Sequence, residues 1–260
     1  MSSKPIGIFD SGVGGLSIWS EIHQLLPMES TIYLSDSKHA PYGPKGKEAI
    51  IHLSVKNTEW LINQGCKLIV VACNTATTNA IDTLRKNYSI PFIGIEPAIK
   101  PAALQSKSKA IGILATKGTL SSRLFHETSQ LYSSDLLVVE QVGNGIVELI
   151  ENGALYSDEM KYLILSYLQP MLDAEIDCLV LGCTHYHFLT PILKQLLPVH
   201  VKIIDSGKAV ARQTKIVLEK TKLLNRATVK KNNLFYTNGE GEVIASLLKS
   251  ETAGIIKIDF

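Results

Sequence analysis

Cysteine is scarce in this chain. There are four in 260 residues, at positions 66, 73, 178 and 183, too few and too scattered for a disulfide framework. Their spacings miss both the C-x2-C pattern of zinc sites and the C-x-x-C redox motif, so reduced thiols are expected and no metal or redox cofactor is implied. An excess of one charge is lacking too: 26 Lys and Arg stand against 24 Asp and Glu, a net of +2, and no dense basic run forms a stripe able to track phosphates. Nucleic acid is therefore not the expected partner. Long hydrophobic runs are missing, since Leu68 to Ala72 and Leu179 to Leu181 fall far short of the roughly 20 residues that span a bilayer. No membrane segment is expected. Met1-Ser2-Ser3-Lys4-Pro5 leads straight into Ile6 to Phe9 without the apolar region and cleavage site of a signal peptide, which points to the cytoplasm.

What the chain does have is apolar material. With 45% apolar and 19% charged residues it can bury a substantial core, and at 260 residues it sits where single cores stop growing, at roughly 250 residues. Two lobes are the expectation. Short β-branched runs recur at Ile6 to Phe9, Thr31 to Ser35, Lys67 to Ala72, Pro91 to Ile95, Ala110 to Ala115, Leu136 to Gln141, Cys178 to Gly182 and Val201 to Asp205. Between them the spacing predicts helices over Gly15 to Leu26, Lys47 to Asn63, Thr75 to Lys86, Ser121 to Leu131, Asp158 to Leu172 and Lys208 to Lys220, with Pro27, Gly65 and Pro198 as stops. This alternation marks an α/β fold with largely parallel sheets. Changes of lobe are placed between Glu96-Pro97 and Ser108 and at Asp205-Ser206-Gly207, without a long linker. Two internal echoes suggest a faint duplication. Asp10-Ser11-Gly12 is echoed by Asp205-Ser206-Gly207, and Val70-Val71-Ala72-Cys73-Asn74-Thr75 by Val180-Leu181-Gly182-Cys183-Thr184-His185.

Cys73 and Cys183 each fall at the carboxyl end of a predicted strand and just before a helix, where open α/β sheets form their ligand crevices. The free N–H groups and dipole of a helix N-terminus stabilise an anion and can bring a thiol from about 8.5 down to roughly 3.5–7.5. A lone cysteine after a strand is more often packing than chemistry. Two in matching contexts, each followed by hydrogen-bonding residues, reverse that weighting, whereas Cys66 and Cys178 precede or open their strands and keep the packing reading. One reactive thiol suits acyl transfer with a histidine base and an oxyanion hole. A facing pair suits proton transfer at a stereocentre, one thiolate removing a proton from one face while the other thiol returns one to the opposite face.

The glycine turn from Asp10 to Gly15 does not read as a nucleotide loop. Ser17 stands where G-x-G-x-x-G needs its last glycine, G-x-x-x-x-G-K-[ST] is absent, and the Asp10 carboxylate would repel a phosphate. Asp10 either pairs with an ammonium or orients a catalytic neighbour, or else it is a turn or N-cap aspartate. Pro41-Tyr42-Gly43-Pro44 is either a rigid turn or a place where the N–H groups of Tyr42 and Gly43 hold a carboxylate. Asn74, Thr75, Thr184 and His185 fit helix capping and ligand contact equally. His185, two residues beyond Cys183, is either a proton partner or structural.

Taken in order, Gly7-Ile8-Phe9-Asp10-Ser11-Gly12-Val13-Gly14-Gly15-Leu16, Ala40-Pro41-Tyr42-Gly43, Ala72-Cys73-Asn74-Thr75-Ala76-Thr77, Gly94-Ile95-Glu96-Pro97 and Leu181-Gly182-Cys183-Thr184-His185-Tyr186 resemble the signature blocks of the glutamate racemases, within the aspartate/glutamate racemase superfamily. The resemblance runs from residue 7 to about 207. It implies a cofactor-independent enzyme that interconverts L- and D-glutamate, supplies D-glutamate for bacterial peptidoglycan, and forms a homodimer. It also implies two pseudo-symmetric lobes, each a mainly parallel sheet flanked by helices, with the active site in the crevice between them. Residues 98–206 would form one lobe, inserted into another made of 1–97 plus 207–260. Cys73 is then expected to take the α-proton of D-glutamate and Cys183 that of L-glutamate, assisted by Asp10, Glu151 and His185, with Glu148 one turn away as the alternative to Glu151. Substrate contacts carry over to Asp10, Ser11, Tyr42, Gly43, Asn74, Thr75, Thr119, Thr184 and His185.

His187 departs from the family pattern, replacing the usual proline after Tyr186, so the start of that helix is expected to differ without loss of activity. The first block begins at Gly7, so an N-terminal extension of the kind that binds a cell-wall precursor activator in some members is not expected. Other readings remain: a racemase of the same superfamily acting on aspartate or a hydantoin, a hydrolase using one cysteine with His185, and a non-catalytic amino-acid-binding protein.

Overall fold

The computed structural model describes residues 3–132, 135–225, 232–248 and 254–260. Met1 and Ser2, part of the amino-terminal reading, lie outside them. The strands are β1 (Ile6–Asp10), β2 (Thr31–Ser35), β3 (Leu68–Val71), β4 (Phe92–Gly94), β5 (Ala110–Ala115), β6 (Leu137–Val142), β7 (Cys178–Gly182), β8 (Lys202–Ile204), β9 (Asn233–Thr237) and β10 (Ile255–Lys257). They form a six-stranded sheet in the order β10-β9-β2-β1-β3-β4 and a four-stranded sheet in the order β6-β5-β7-β8. Every pairing among the described strands is parallel. Helices cover these sheets, so β1, β3, β5 and β7 are buried along their whole length. Their sequences are accordingly continuous apolar runs rather than alternating ones.

The duplication is a repeat of strand order. In each sheet the first strand in sequence pairs with the second and third, and the third with the fourth, so β2-β1-β3-β4 corresponds to β6-β5-β7-β8. Cys73 after β3 and Cys183 after β7 are therefore equivalent positions. The other echo is not of this kind. Asp10 ends β1, whose counterpart β5 ends at Ala115, whereas Asp205 follows β8, the counterpart of β4.

The helices are α1 (Leu16–Leu25), α2 (Lys47–Asn63), α3 (Asn74–Asn87), α4 (Ile99–Gln105), α5 (Lys117–Leu120), α6 (Arg123–Tyr132), α7 (Ile146–Glu151), α8 (Asp158–Asp173), α9 (Thr190–Leu196), α10 (Gly207–Lys220) and α11 (Gly241–Leu248). Local chemistry sets their ends. Ser157 caps α8 by accepting the Met160 N–H at 3.1 Å, with Asp158 and Glu159 in the first turn facing the positive end of the dipole. Just beyond α2, Gly65 adopts φ +77°, a left-handed conformation that glycine takes without a Cβ penalty.

The six long helices and eight of the strands lie within a few residues of the sequence expectation. The expectation missed the C-terminal strands β9 and β10, which extend the first sheet beyond β2. It also missed the short helices α4, α5, α7, α9 and α11. The chain passes from the first sheet to the second after β4 and returns after β8. The two passages touch, because the Ser206 hydroxyl donates to the Glu96 carbonyl. Just before β2 and β3, Glu29 and Lys67 form a buried ion pair at 2.5 Å. Glu29 also accepts the Asn225 N–H, and Lys67 donates to the Leu223 carbonyl, so the pair pins the segment after α10. Among the described residues no helix is long and apolar enough to cross a membrane.

Candidate active site

The ends of β1, β3, β5 and β7, with Ser11, Cys73, Thr116 and Cys183, meet across a cleft between the sheets. Cys73 caps α3: its Sγ accepts the Ala76 N–H at 3.4 Å and lies 3.6 Å from the Ser11 hydroxyl. Cys183 lies at the matching end of β7, but from there the chain enters a 3-10 turn, Thr184–Leu189, before α9. The Thr190 hydroxyl bonds the His187 carbonyl at 2.7 Å, and the His187 ring faces Asp205 at 3.5 Å, so the residue in place of the family's proline lies on this 3-10 segment.

Both sulfurs line one small cavity with Ser11, Pro41, Tyr42, Gly43, Asn74, Thr75, Thr116, Val147, Thr184 and His185. Its volume, about 10 Å³, is room for a single water. An amino acid does not fit in this volume.

The surroundings of the two sulfurs differ. Burial, then the negative Asp10, push the Cys73 thiol well above the ordinary range, against the pull of the Ala76 N–H and the Ser11 hydroxyl. Cys183 instead faces a histidine, with His185 Nδ1 3.8 Å from its Sγ. The other ring nitrogen donates to Glu151 Oε1 at 2.5 Å. Burial alone would lower the His185 imidazolium. The hydrogen bonds to Cys183 and Glu151 and the charges of both push it well above 6.5 instead. Glu151 answers in the opposite sense. Burial raises it, but the bond and charge of His185, the Val13 N–H and the Ser37 hydroxyl bring it below the usual carboxylate value. It is Glu151 that reaches His185, while Glu148 on the same short helix is exposed to solvent.

The glycine turn makes this approach possible. A Cβ at Gly12 would stand 1.9 Å from Glu151 Oε1, and one at Gly14 2.3 Å from His185 Nδ1. With no side chains there, the turn's backbone meets the second sheet directly, and the Val13 N–H donates to Glu151 Oε1 at 2.7 Å. The run serves close packing between lobes rather than a phosphate.

Asp10 is fully buried and stands behind the cavity wall. Its carboxylate accepts the N–H groups of Ser11 and Gly15, and the Thr184 hydroxyl from the opposite sheet at 3.2 Å. Burial raises its pKa, and the charge of His185 is the main opposing influence. Tyr42 lines the cavity with its ring, but its hydroxyl is turned to Asp36 at 2.5 Å and takes a hydrogen bond from Asn57 at 3.1 Å. Gly43 is on the wall, packed against Thr116, where a Cβ would meet the threonine Cβ at 3.0 Å. Thr119 stands behind the wall. Its hydroxyl lies 3.3 Å from that of Thr75 and 3.0 Å from that of Thr116, and these two are 2.7 Å apart. Asn74 has both side-chain polar atoms buried and unpartnered by protein, the arrangement expected of a residue whose partner is a ligand.

Sequence reasoning missed three residues here. Thr116 reaches the wall just after β5, the counterpart of Ser11's position after β1, and the repeat of strand order was the signal that could have found it. Asp36 is fully buried and gathers Tyr42, His39 and Asn238. Ser37 bonds Glu151 from the opposite sheet. Neither follows a recognisable motif. Among the described residues no cluster of His, Cys, Asp and Glu is suited to a metal ion.

The sequence pattern of the Asp/Glu/hydantoin racemase family matches residues 6–214. Among curated proteins, the glutamate racemase of Ectopseudomonas mendocina (strain ymp) is 49% identical over 224 residues, 86% of this chain and 85% of that protein. Among solved structures, a glutamate racemase isoform from Bacillus anthracis superimposes with a TM-score of 0.87 at 30% identity, covering 100% of this chain and 98% of the other. Escherichia coli glutamate racemase, crystallised in complex with L-glutamate and the activator UDP-MurNAc-ala, gives 0.86 at 32% identity, covering 98% and 97%.

Proposed function

The chain belongs to the Asp/Glu/hydantoin racemase family, and from that premise we propose that it is a glutamate racemase that works with two thiols and no cofactor. The observation that carries the proposal is the position of Cys73 and Cys183, which come from equivalent strand ends of two sheets and line one cavity. Glutamate lies with its α-carbon between them. One sulfur, as thiolate, takes the α-proton: the C–H bond breaks, an S–H bond forms, and the electron pair moves into conjugation with the α-carboxylate. The opposite thiol gives its proton to the other face of the carbon and is left as the thiolate. Cys183 takes the proton of the L enantiomer and Cys73 that of the D enantiomer.

The α-proton is barely acidic, so thiol tuning alone is too small an effect. Enzymes lower such barriers by about 8–23 kcal/mol, and preorganised polar groups usually supply the largest part. Here those groups are Asn74, Ser11, Thr75, Thr116 and Thr184, which meet the carboxylates and the ammonium, with Asp10 and Thr119 holding Thr184 and Thr75 in place. Cys73 is buried beside Asp10 and favours the neutral thiol until a cation arrives. The ammonium of the substrate is that cation. Residues 98–206 move as one lobe against 1–97 plus 207–260 to admit substrate and then exclude water. The homodimer, the cytoplasmic location and the supply of D-glutamate to peptidoglycan rest on the same kinship.

The test is incubation of the purified protein with L-glutamate in heavy water and no added cofactor, following optical rotation and α-deuterium. Racemisation with deuterium gained at the α-carbon is expected; unchanged L-glutamate would sink the reading.

The histidine gives the reaction a pH signature. A raised His is charged below its folded value, so the unsubstituted protein keeps the His185 imidazolium through pH 6.5 and its kcat/KM stays flat there. Glu151→Gln removes the carboxylate that helps to hold the proton and leaves burial less opposed. The imidazolium is then lost at a lower pH than in the unsubstituted protein, and the variant's kcat/KM begins to fall at that lower pH. A variant profile as flat as the parent's would show that Glu151 does not set the histidine.

A further inference from the structure

We propose that Ser37 is a positioning residue that makes the proton relay of Cys183 depend on closure of the two lobes; the proposal rests on the racemase reading above. Glu151 lies on α7, beside the second sheet, yet two of its three hydrogen-bond donors come from loops of the first: the Val13 N–H to Oε1 at 2.7 Å and the Ser37 hydroxyl to Oε2 at 2.9 Å. The third donor is His185, whose other nitrogen faces the Cys183 sulfur. One line of contacts thus runs from sulfur through ring and carboxylate to a serine on the opposite lobe. Cys73 has no such dependence, because its partners, the Ala76 N–H and the Ser11 hydroxyl, belong to its own lobe.

Ser37 is held ready by the first lobe alone. It opens a single 3-10 turn, Ser37–His39, preceded by Asp36, whose buried carboxylate is fixed by Tyr42, His39 and Asn238. Its hydroxyl meets that of Ser35 at 3.0 Å. Behind it Gly239 packs so closely that a Cβ there would stand 2.6 Å from the serine Cβ. A hydroxyl fixed in this way orients one carboxylate oxygen and thereby presents the other to His185. When the lobes part, Glu151 loses both donors from the first lobe and His185 loses an oriented acceptor. Proton transfer at Cys183 is therefore competent in the closed form, where the carbanion is shielded from water.

The test compares Ser37→Ala and Ser37→Thr with the unsubstituted chain, using protiated and α-deuterated L- and D-glutamate. Enantiomers have equal free energy in water, so kcat/KM must stay equal in the two directions, and only isotope effects reveal which sulfur has slowed. Ser37→Ala is expected to lower kcat/KM about tenfold, the low end for a hydrogen bond to a charged group. Its two isotope effects should move in opposite senses, rising with the enantiomer whose proton Cys183 removes and falling with the other. Ser37→Thr keeps the hydroxyl and restores both. Equal movement of the two isotope effects, no movement, or the same loss in Ser37→Thr overturns the proposal. Failure of the unsubstituted chain to racemise glutamate overturns the functional reading instead.

Discussion

Cys73→Ala and Cys183→Ala are each expected to lower kcat/KM for glutamate racemisation by about 10²–10⁴-fold or more, the range for one positioned acid or base. The double variant should fall scarcely further. Each inversion uses both sulfurs, one to take the proton and one to give it, so the first loss removes the route and the second has little left to remove. The other two cysteines provide the control. Cys66 and Cys178 are buried in the packing around their sheets, and burial pushes their thiols up to about 12 and about 11, leaving them neutral at working pH. Replacing either should change stability more than rate. The measurement is loss of optical rotation from either enantiomer together with α-deuterium uptake. Full racemisation by either single variant would end the two-thiol scheme. A hydrolase working through Cys183 and His185 would leave Cys73 dispensable, which makes Cys73→Ala the sharper of the two.

What could be read from the sequence was whatever is encoded locally. The central strands are buried on both faces and so appear as unbroken apolar runs, and α2 carries both its spacing and its glycine stop. The matched cysteine contexts were legible because the same strand-to-helix passage occurs twice. The C-terminal strands were not. Only two residues of β9 are buried, and β10 is three residues at an edge, so neither carries a run long enough to stand out. The site divides in the same way. Residues adjacent to the cysteines were visible, whereas Thr116, Asp36 and Ser37 depend on what the fold brings opposite them. Glu151 was reached through family resemblance alone, since its surroundings form no motif and its partners Val13 and Ser37 lie more than a hundred residues away.

Gly14→Ala is expected to cost more than about 100-fold in kcat/KM, since a misplacement of about 1 Å at a catalytic group is enough for such a loss. Gly14 does not have a positive φ, so alanine adopts its backbone without strain and the whole effect is steric. The added methyl would sit 2.3 Å from His185 Nδ1 and 2.6 Å from the His185 backbone nitrogen. The backbone atom decides the matter, because it cannot swing aside as a side chain can. Gly12→Ala, aimed at the carboxylate end of Glu151, can be relieved by rotating that side chain at the cost of its bond to His185. Gly14→Ala is relieved only by holding the lobes apart. The intruding contact lies between the lobes, where one hydrophobic cluster joins residues of both sheets, Ile8 and Val70 of the first with Leu114 and Leu181 of the second. The thermal midpoint should therefore fall, while far-ultraviolet circular dichroism, which reports the helices and strands of each lobe, should stay near that of the unsubstituted protein. Small-angle scattering then separates the causes. With saturating glutamate the unsubstituted chain should contract, and Gly14→Ala should keep the larger radius of gyration. A variant that contracts normally and still loses activity would place the fault in the chemistry of His185 rather than in closure.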